Sequence, residues 1–159
     1  MNLRYSLAIV SCFVFVTCAA LTFAPGVQTI AAAPPASTDA PTPVEPDMHE
    51  FMEYVFQPTF KQLKPVMAQA PENNQGWKAM KAGSLILAEG GNLLLIRQPE
   101  KDAADWNKHS TEVRDFGGKF YRAAQAKDFE NASANYKSMV QSCNACHHQF
   151  AGGEHILTP

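Results

Sequence analysis

The chain has 159 residues, with 13 Lys and Arg against 15 Asp and Glu and a formal net charge of −2 at pH 7. So even a balance, with no basic stripe, argues against nucleic acid as a partner. Val/Ile/Thr-rich alternation is absent as well, so strands are not expected and an all-α domain with a single small core is.

The opening segment, "MNLRYSLAIVSCFVFVTCAALTFAPG", sets Arg4 ahead of an apolar run from Leu7 to Phe23. A basic start followed by a hydrophobic stretch is the order of a secretory signal, so residues 1–33 are expected to direct export to the periplasm. The run is also long enough for an uncleaved anchor, the one route by which a membrane becomes a partner. Ala31-Ala32-Ala33 offers small residues for cleavage, although Pro34 follows. Cys18 is poorly placed for lipidation after Phe15-Val16-Thr17, so ordinary export is preferred. Residues 34–46, "PPASTDAPTPVEP", read as an extended, disordered linker, because proline lacks an amide donor and disfavours helix in the residue before it.

Residues 47–151 read as four helical segments. The first begins after Asp47, a good N-cap, and runs from Met48 towards Ala70; Pro58 and Pro65 predict a kink or break within it. The second spans Asn73 to Ile96 with Trp77, Met80, Leu87 and Leu94 among its apolar residues. Its glycines (Gly76, Gly83, Gly90, Gly91) weaken the helix but admit a close neighbour or a flat ligand. The third runs from Asp102 to Ala126, its stripe formed by Trp106, Val113, Phe116, Phe120 and Ala124. The fourth opens at the N-cap candidate Asp128 and carries Phe129, Ala132, Tyr136, Met139 and Val140 towards Phe150, where Gly152-Gly153 ends it. Short connections make an antiparallel four-helix bundle the economical arrangement. Residues 152–159 are left as a flexible tail.

The stretch "SCNACHHQF", residues 142–150, carries the chemistry. Removing the export segment removes Cys12 and Cys18, so Cys143 and Cys146 are too few for a disulfide framework. Cys143 and His147 stand four apart, on the face that continues the core stripe, with Cys146 one position to the side. Two thiols on successive turns reach the two vinyl groups of one porphyrin, and the adjacent histidine projects beneath the ring to the iron. That is the mechanical logic of C-x-x-C-H as the attachment of one covalent haem c. A thioredoxin-like dithiol belongs at a helix N-terminus after a strand. A zinc site from Cys143, Cys146, His147 and His148 needs tetrahedral convergence that one continuous helix does not give. Phe51, Phe56, Phe60, Trp106, Phe116 and Phe120 are most simply core, some of them against the porphyrin.

With these residues in place the chain resembles the class II cytochromes c, the cytochrome c-prime family. Members carry C-x-x-C-H near the end of the fourth helix of a bundle. The resemblance covers residues 47–150 and rests on "CNACHHQF", its location, the four-segment plan and a weaker match in the first helix. Phe150 fits the aromatic residue common three positions after the haem histidine, whereas Ala151 stands where an arginine is common. The resemblance implies an antiparallel bundle with haem covalently attached to the C-terminal helix and a first-helix residue facing the open side of the iron. High-spin members place a non-ligating Leu, Tyr or Phe there, and low-spin relatives place a ligating Met. On "HEFMEYVFQPTFKQL" the pattern puts His49 at that position and Met52 at the following core position, with Glu45 where high-spin members tend to have arginine.

His49 is therefore the expected distal ligand, with Met52 or Met48 as alternatives and an empty position as a third. All three lie within about one helical turn, so helix geometry does not choose among them. A solvated helix-start role for His49, between Asp47 and Glu50, is the competing reading. His148 is expected to be exposed, His109 to be a partly wet boundary residue, and His155 to belong to the tail.

The expected function is that of an exported monohaem cytochrome passing one electron between redox partner proteins that the sequence does not specify. Small-gas binding (NO or CO) at a five-coordinate iron is the alternative. No acid/base or nucleophile constellation accompanies the motif, so an enzyme is not expected. Relatives often pair through their first two helices, which makes a homodimer an implication of the resemblance.

Overall fold

The computed structural model describes residues 40–159. The expected export signal, with Cys12 and Cys18, and the first part of the linker lie outside the described residues. Among those described there are helices and no strands, and no helix is long and apolar enough to cross a membrane.

The first helical segment is continuous but not uniform. It comprises α1 (Met48–Phe51), a π-helical turn (Met52–Phe56) and α2 (Gln57–Val66). Asp47 caps it as expected, its carboxylate accepting from the Glu50 amide at 2.9 Å. Pro58 does not break the segment. The Gln57 amide reaches back to the Met52 carbonyl, so the chain widens before the proline, which then sits in the first turn of α2. A missing amide costs least there. Thr59 adds a hydroxyl donated to the Val55 carbonyl at 2.8 Å. The segment ends at Val66, short of the expected Ala70, just after Pro65.

Three longer helices follow: α3 (Asn74–Leu95), α4 (Ala103–Ala126) and α5 (Phe129–Phe150). Side-chain caps open α3 and α5, where Asn73 accepts from the Gly76 amide and Asp128 from the Asn131 amide, both at 3.0 Å. Asp102 is different. It is left-handed (φ 57°) and makes no side-chain cap bond, so α4 begins by a backbone turn. Lys127, also at φ 57°, caps the end of α4, and the Asp128 amide bonds to the Ala123 carbonyl at 2.9 Å.

Two glycines set how closely α3 and α4 approach. A Cβ on Gly91 would lie 2.7 Å from the Arg114 backbone nitrogen, and one on Gly117 would lie 2.9 Å from the Ala88 Cα. Only hydrogen fits at either place. The four helical segments bury their stripes together, with Met80, Phe120 and Ala132 at 0% exposure and Tyr136, Met139 and Val140 at 1%. Leu63 joins this core from α2. A second apolar cluster forms around Phe51, Leu94, Trp106 and Cys146, with Met48, Met52 and Phe150 packed on it.

Candidate functional site

Helix α5 runs unbroken through the cysteine motif, so Cys143, Cys146 and His147 share one side of it. All three line a single cavity of about 570 Å³. Met48, Met52 and Phe56 supply wall from the first segment, and Leu94, Trp106 and Val113 from α3 and α4. The size lies within the range of small-molecule and cofactor sites.

Both thiols are free, Cys146 buried and Cys143 half-buried. Burial pushes the Cys143 thiol up to about 12, with Cys146 adding in the same direction, and burial pushes Cys146 up to about 11. At neutral pH both are therefore protonated. A redox dithiol needs the opposite, a thiol whose pKa is lowered so that it attacks as thiolate. Nor do three His, Cys, Asp or Glu side chains among the described residues converge in a way that would hold an ion.

His147 is half-buried, and its Nδ1 lies 2.9 Å from the backbone carbonyl of His155. A carbonyl only accepts, so Nδ1 carries the proton and the neutral ring keeps its lone pair on Nε2. Burial holds the pKa of His147 below the usual histidine value; the His155 carbonyl opposes this, and the His155 and His148 side chains add to it. The ring is thus a neutral imidazole with one nitrogen engaged and the other free to bind.

Residues 151–157 bring that carbonyl into place, although the sequence gives no reason for them to be held. Gly152 and Gly153 (φ 61° and 79°) reverse the chain at the end of α5, and the Gly153 amide bonds to the His147 carbonyl at 3.0 Å. The Asn144 side chain pairs with the Leu157 backbone through two bonds of 2.8 and 2.9 Å. Lys64 of α2 donates to the Thr158 hydroxyl at 2.6 Å.

The three distal candidates separate by burial. His49 stands at the cavity rim with its side chain 74% exposed, and its Nε2 lies 3.4 Å from the Glu53 carboxylate one turn on. Met52 and Met48 are partly buried in the cluster that contains Cys146. The π-helical turn begins at Met52 itself, and such turns are frequent at functional sites.

His148 is exposed, as neighbours on a helix require, and His155 is exposed too. His109 is not the partly wet boundary residue expected: it is only 8% exposed and lines the cavity. Its Nε2 lies 3.3 Å from Gln149 Oε1, and the Gln149 amide donates to Asp105 at 2.8 Å. Its Nδ1 lies 3.7 Å from the Glu112 carboxylate without a hydrogen bond. The signal for this burial was in the spacing, since His109 stands three after Trp106 and four before Val113. Arg97 also escaped the sequence reading. It stacks 3.8 Å over the Phe51 ring and donates to the Leu93 carbonyl at 2.7 Å and the Glu45 carbonyl at 3.3 Å.

Fold and site together define an all-helical protein with a thiol- and imidazole-lined apolar cavity at one end of its last helix. No family model, curated protein or solved structure matches the chain.

Proposed function

We propose that this chain is an exported c-type cytochrome of the class II kind, an antiparallel four-helix bundle that carries one haem and passes single electrons. The observation that supports it best is the convergence of two protonated thiols and a neutral imidazole, all from one unbroken helix, on one apolar cavity.

The residues present fit the group. Cys143 and Cys146, on successive turns, would hold a porphyrin by thioether bonds, each S–H adding across one vinyl group with no oxidant needed. His147 offers Nε2 to the iron, its tautomer fixed by the His155 carbonyl. A haem held there supplies an iron that gains or loses one electron. Trp106, Val113 and Leu94 give the cavity an apolar wall.

For the distal side Met52 is better placed than His49. It sits in the apolar cluster beside Cys146, whereas His49 is spread towards solvent and held by Glu53. A thioether as the second ligand would give a higher reduction potential than a second imidazole. The same apolar wall is what the second reading requires, a five-coordinate iron taking up NO or CO. The visible spectrum of the oxidised protein separates them. Sharp low-spin bands that Met52→Ala abolishes support a methionine-ligated electron carrier, and a high-spin charge-transfer band in the red supports gas binding.

The reading as a whole is tested by producing the chain in a host able to mature cytochromes c. A coloured protein whose mass exceeds that of the mature polypeptide by one porphyrin is expected. A colourless protein overturns it.

A further inference from the structure

We propose that residues 151–157 form a strap that sets the proximal histidine, with Asn144 as its anchor and positioning residue. The proposal rests on the haem reading above, since it concerns what His147 does for an iron.

Three observations carry it. First, the strap runs back along α5 in a defined register, with His155 meeting His147 and Leu157 meeting Asn144. Second, the anchor is two-pointed. Asn144 Oδ1 accepts from the Leu157 amide at 2.8 Å and its Nδ2 donates to the Leu157 carbonyl at 2.9 Å, so the amide satisfies both polar groups of one strap residue. Such a pair fixes direction as well as distance. Third, the strap is apolar on its inner side: Leu157 packs on the main core, and Ile156 and Leu157 line the cavity.

The physical consequence follows from the register. Asn144 lies between the two cysteines, so the residue that holds the strap is built into the attachment motif. The strap in turn presents one carbonyl to Nδ1 of His147. A ring nitrogen that donates to a carbonyl makes the opposite nitrogen a stronger base, and such outer partners typically alter metal affinity by about 10–100-fold. A stronger base favours the more highly charged ferric iron. Asn144 thus lowers the reduction potential without touching the haem's iron or its ligand.

The acceptor is the backbone oxygen of His155, not its ring. Its left-handed backbone (φ 58°) is what aims that oxygen. Glycine adopts the same conformation freely.

The test uses the full haem-bearing chain and its Asn144→Ala variant, each checked by mass for one porphyrin. Asn144→Ala is expected to raise the midpoint potential, changing the ferric-to-ferrous ratio at fixed ambient potential by about tenfold, or about 59 mV for one electron. An unchanged potential in Asn144→Ala, with the porphyrin in place, overturns the strap and leaves the haem reading intact. Should the wild-type chain carry no porphyrin, the earlier reading falls and the strap is judged by ¹⁵N NMR of His147 in that same chain. An Nδ1–H ring in the wild type that becomes a mixture of tautomers in Asn144→Ala supports it, and identical spectra overturn it.

Discussion

The two apolar clusters of this protein are packed to different standards. Around Met80, Phe120 and Tyr136, side chains from three helices exclude solvent almost completely, and protein meets protein on every side. Around Phe51, Trp106 and Cys146, the neighbours Met48, Met52 and Phe150 are only partly covered and border a cavity of about 570 Å³. The first region is a finished core. The second has the composition of a core but not its density, which protein interiors otherwise hold close to that of organic crystals. The difference marks the place of the proposed site: apolar surface left around a space that two thiols and an imidazole line.

The largest expected effect strikes the second region alone. On the haem proposal, replacing Cys143 and Cys146 together by Ala removes both attachment points, so the haem band of the denatured, solvent-extracted protein is expected to disappear entirely. Retention of colour after extraction in acidified organic solvent would break the contrast between the clusters as drawn. Next comes a pair of truncations. Phe120→Ala, in the finished core, costs about 3–5 kcal/mol, whereas Phe56→Ala, at the half-buried cavity wall, costs about 1–2 kcal/mol in haem-free protein. Urea unfolding of both variants measures the gap, and equal costs would erase the distinction.

The thiols contribute a pH effect only while they are free. Their pKa values are raised on folding, from 9 to about 12 and about 11. The folded state therefore holds protons that the unfolded chain releases above pH 9. Haem-free protein keeps this contribution below pH 9 and loses it as the pH climbs towards 11–12. Chemical unfolding at pH 8 and pH 10.5 reads the loss, and once the sulfurs are thioethers only the smaller part from Tyr136, which burial raises from 10 to about 12, should remain. Smallest is a glycine pair on α3 and α4. Gly91→Ala forces backbone apart and costs about 1–3 kcal/mol. At Gly118 a Cβ meets only the end of the Arg122 side chain, 3.4 Å away, so Gly118→Ala gains about 0.5–1 kcal/mol from helix propensity. Thermal melts of the two should move in opposite directions.

Much of the architecture was legible because its causes are local. The caps at Asp47 and Asp128 and the three- and four-residue spacing of the buried stripes can be read off neighbouring residues, and the hydrogen bonds and burial agree with them. The cysteine motif was legible for the same reason. What escaped reading is nonlocal. Nothing near Leu157 signals that it will meet Asn144, and the carbonyl of His155 is chemically like every other carbonyl until the chain folds. The choice between His49 and Met52 escaped differently. Both fall within one turn, so only the packing of Trp106 and Cys146 from other helices separates a half-buried thioether from an exposed imidazole.

The widened turn at Met52–Phe56 has one more consequence. It holds one residue more than the surrounding helix needs, so every side chain upstream is rotated by roughly 100° relative to an uninterrupted α-helix. Met48 and Met52 owe their bearing on the cavity to that surplus. Excising a single residue between Glu53 and Val55 would restore regular winding and swing the methionines off the cavity, while leaving the composition of the segment almost untouched.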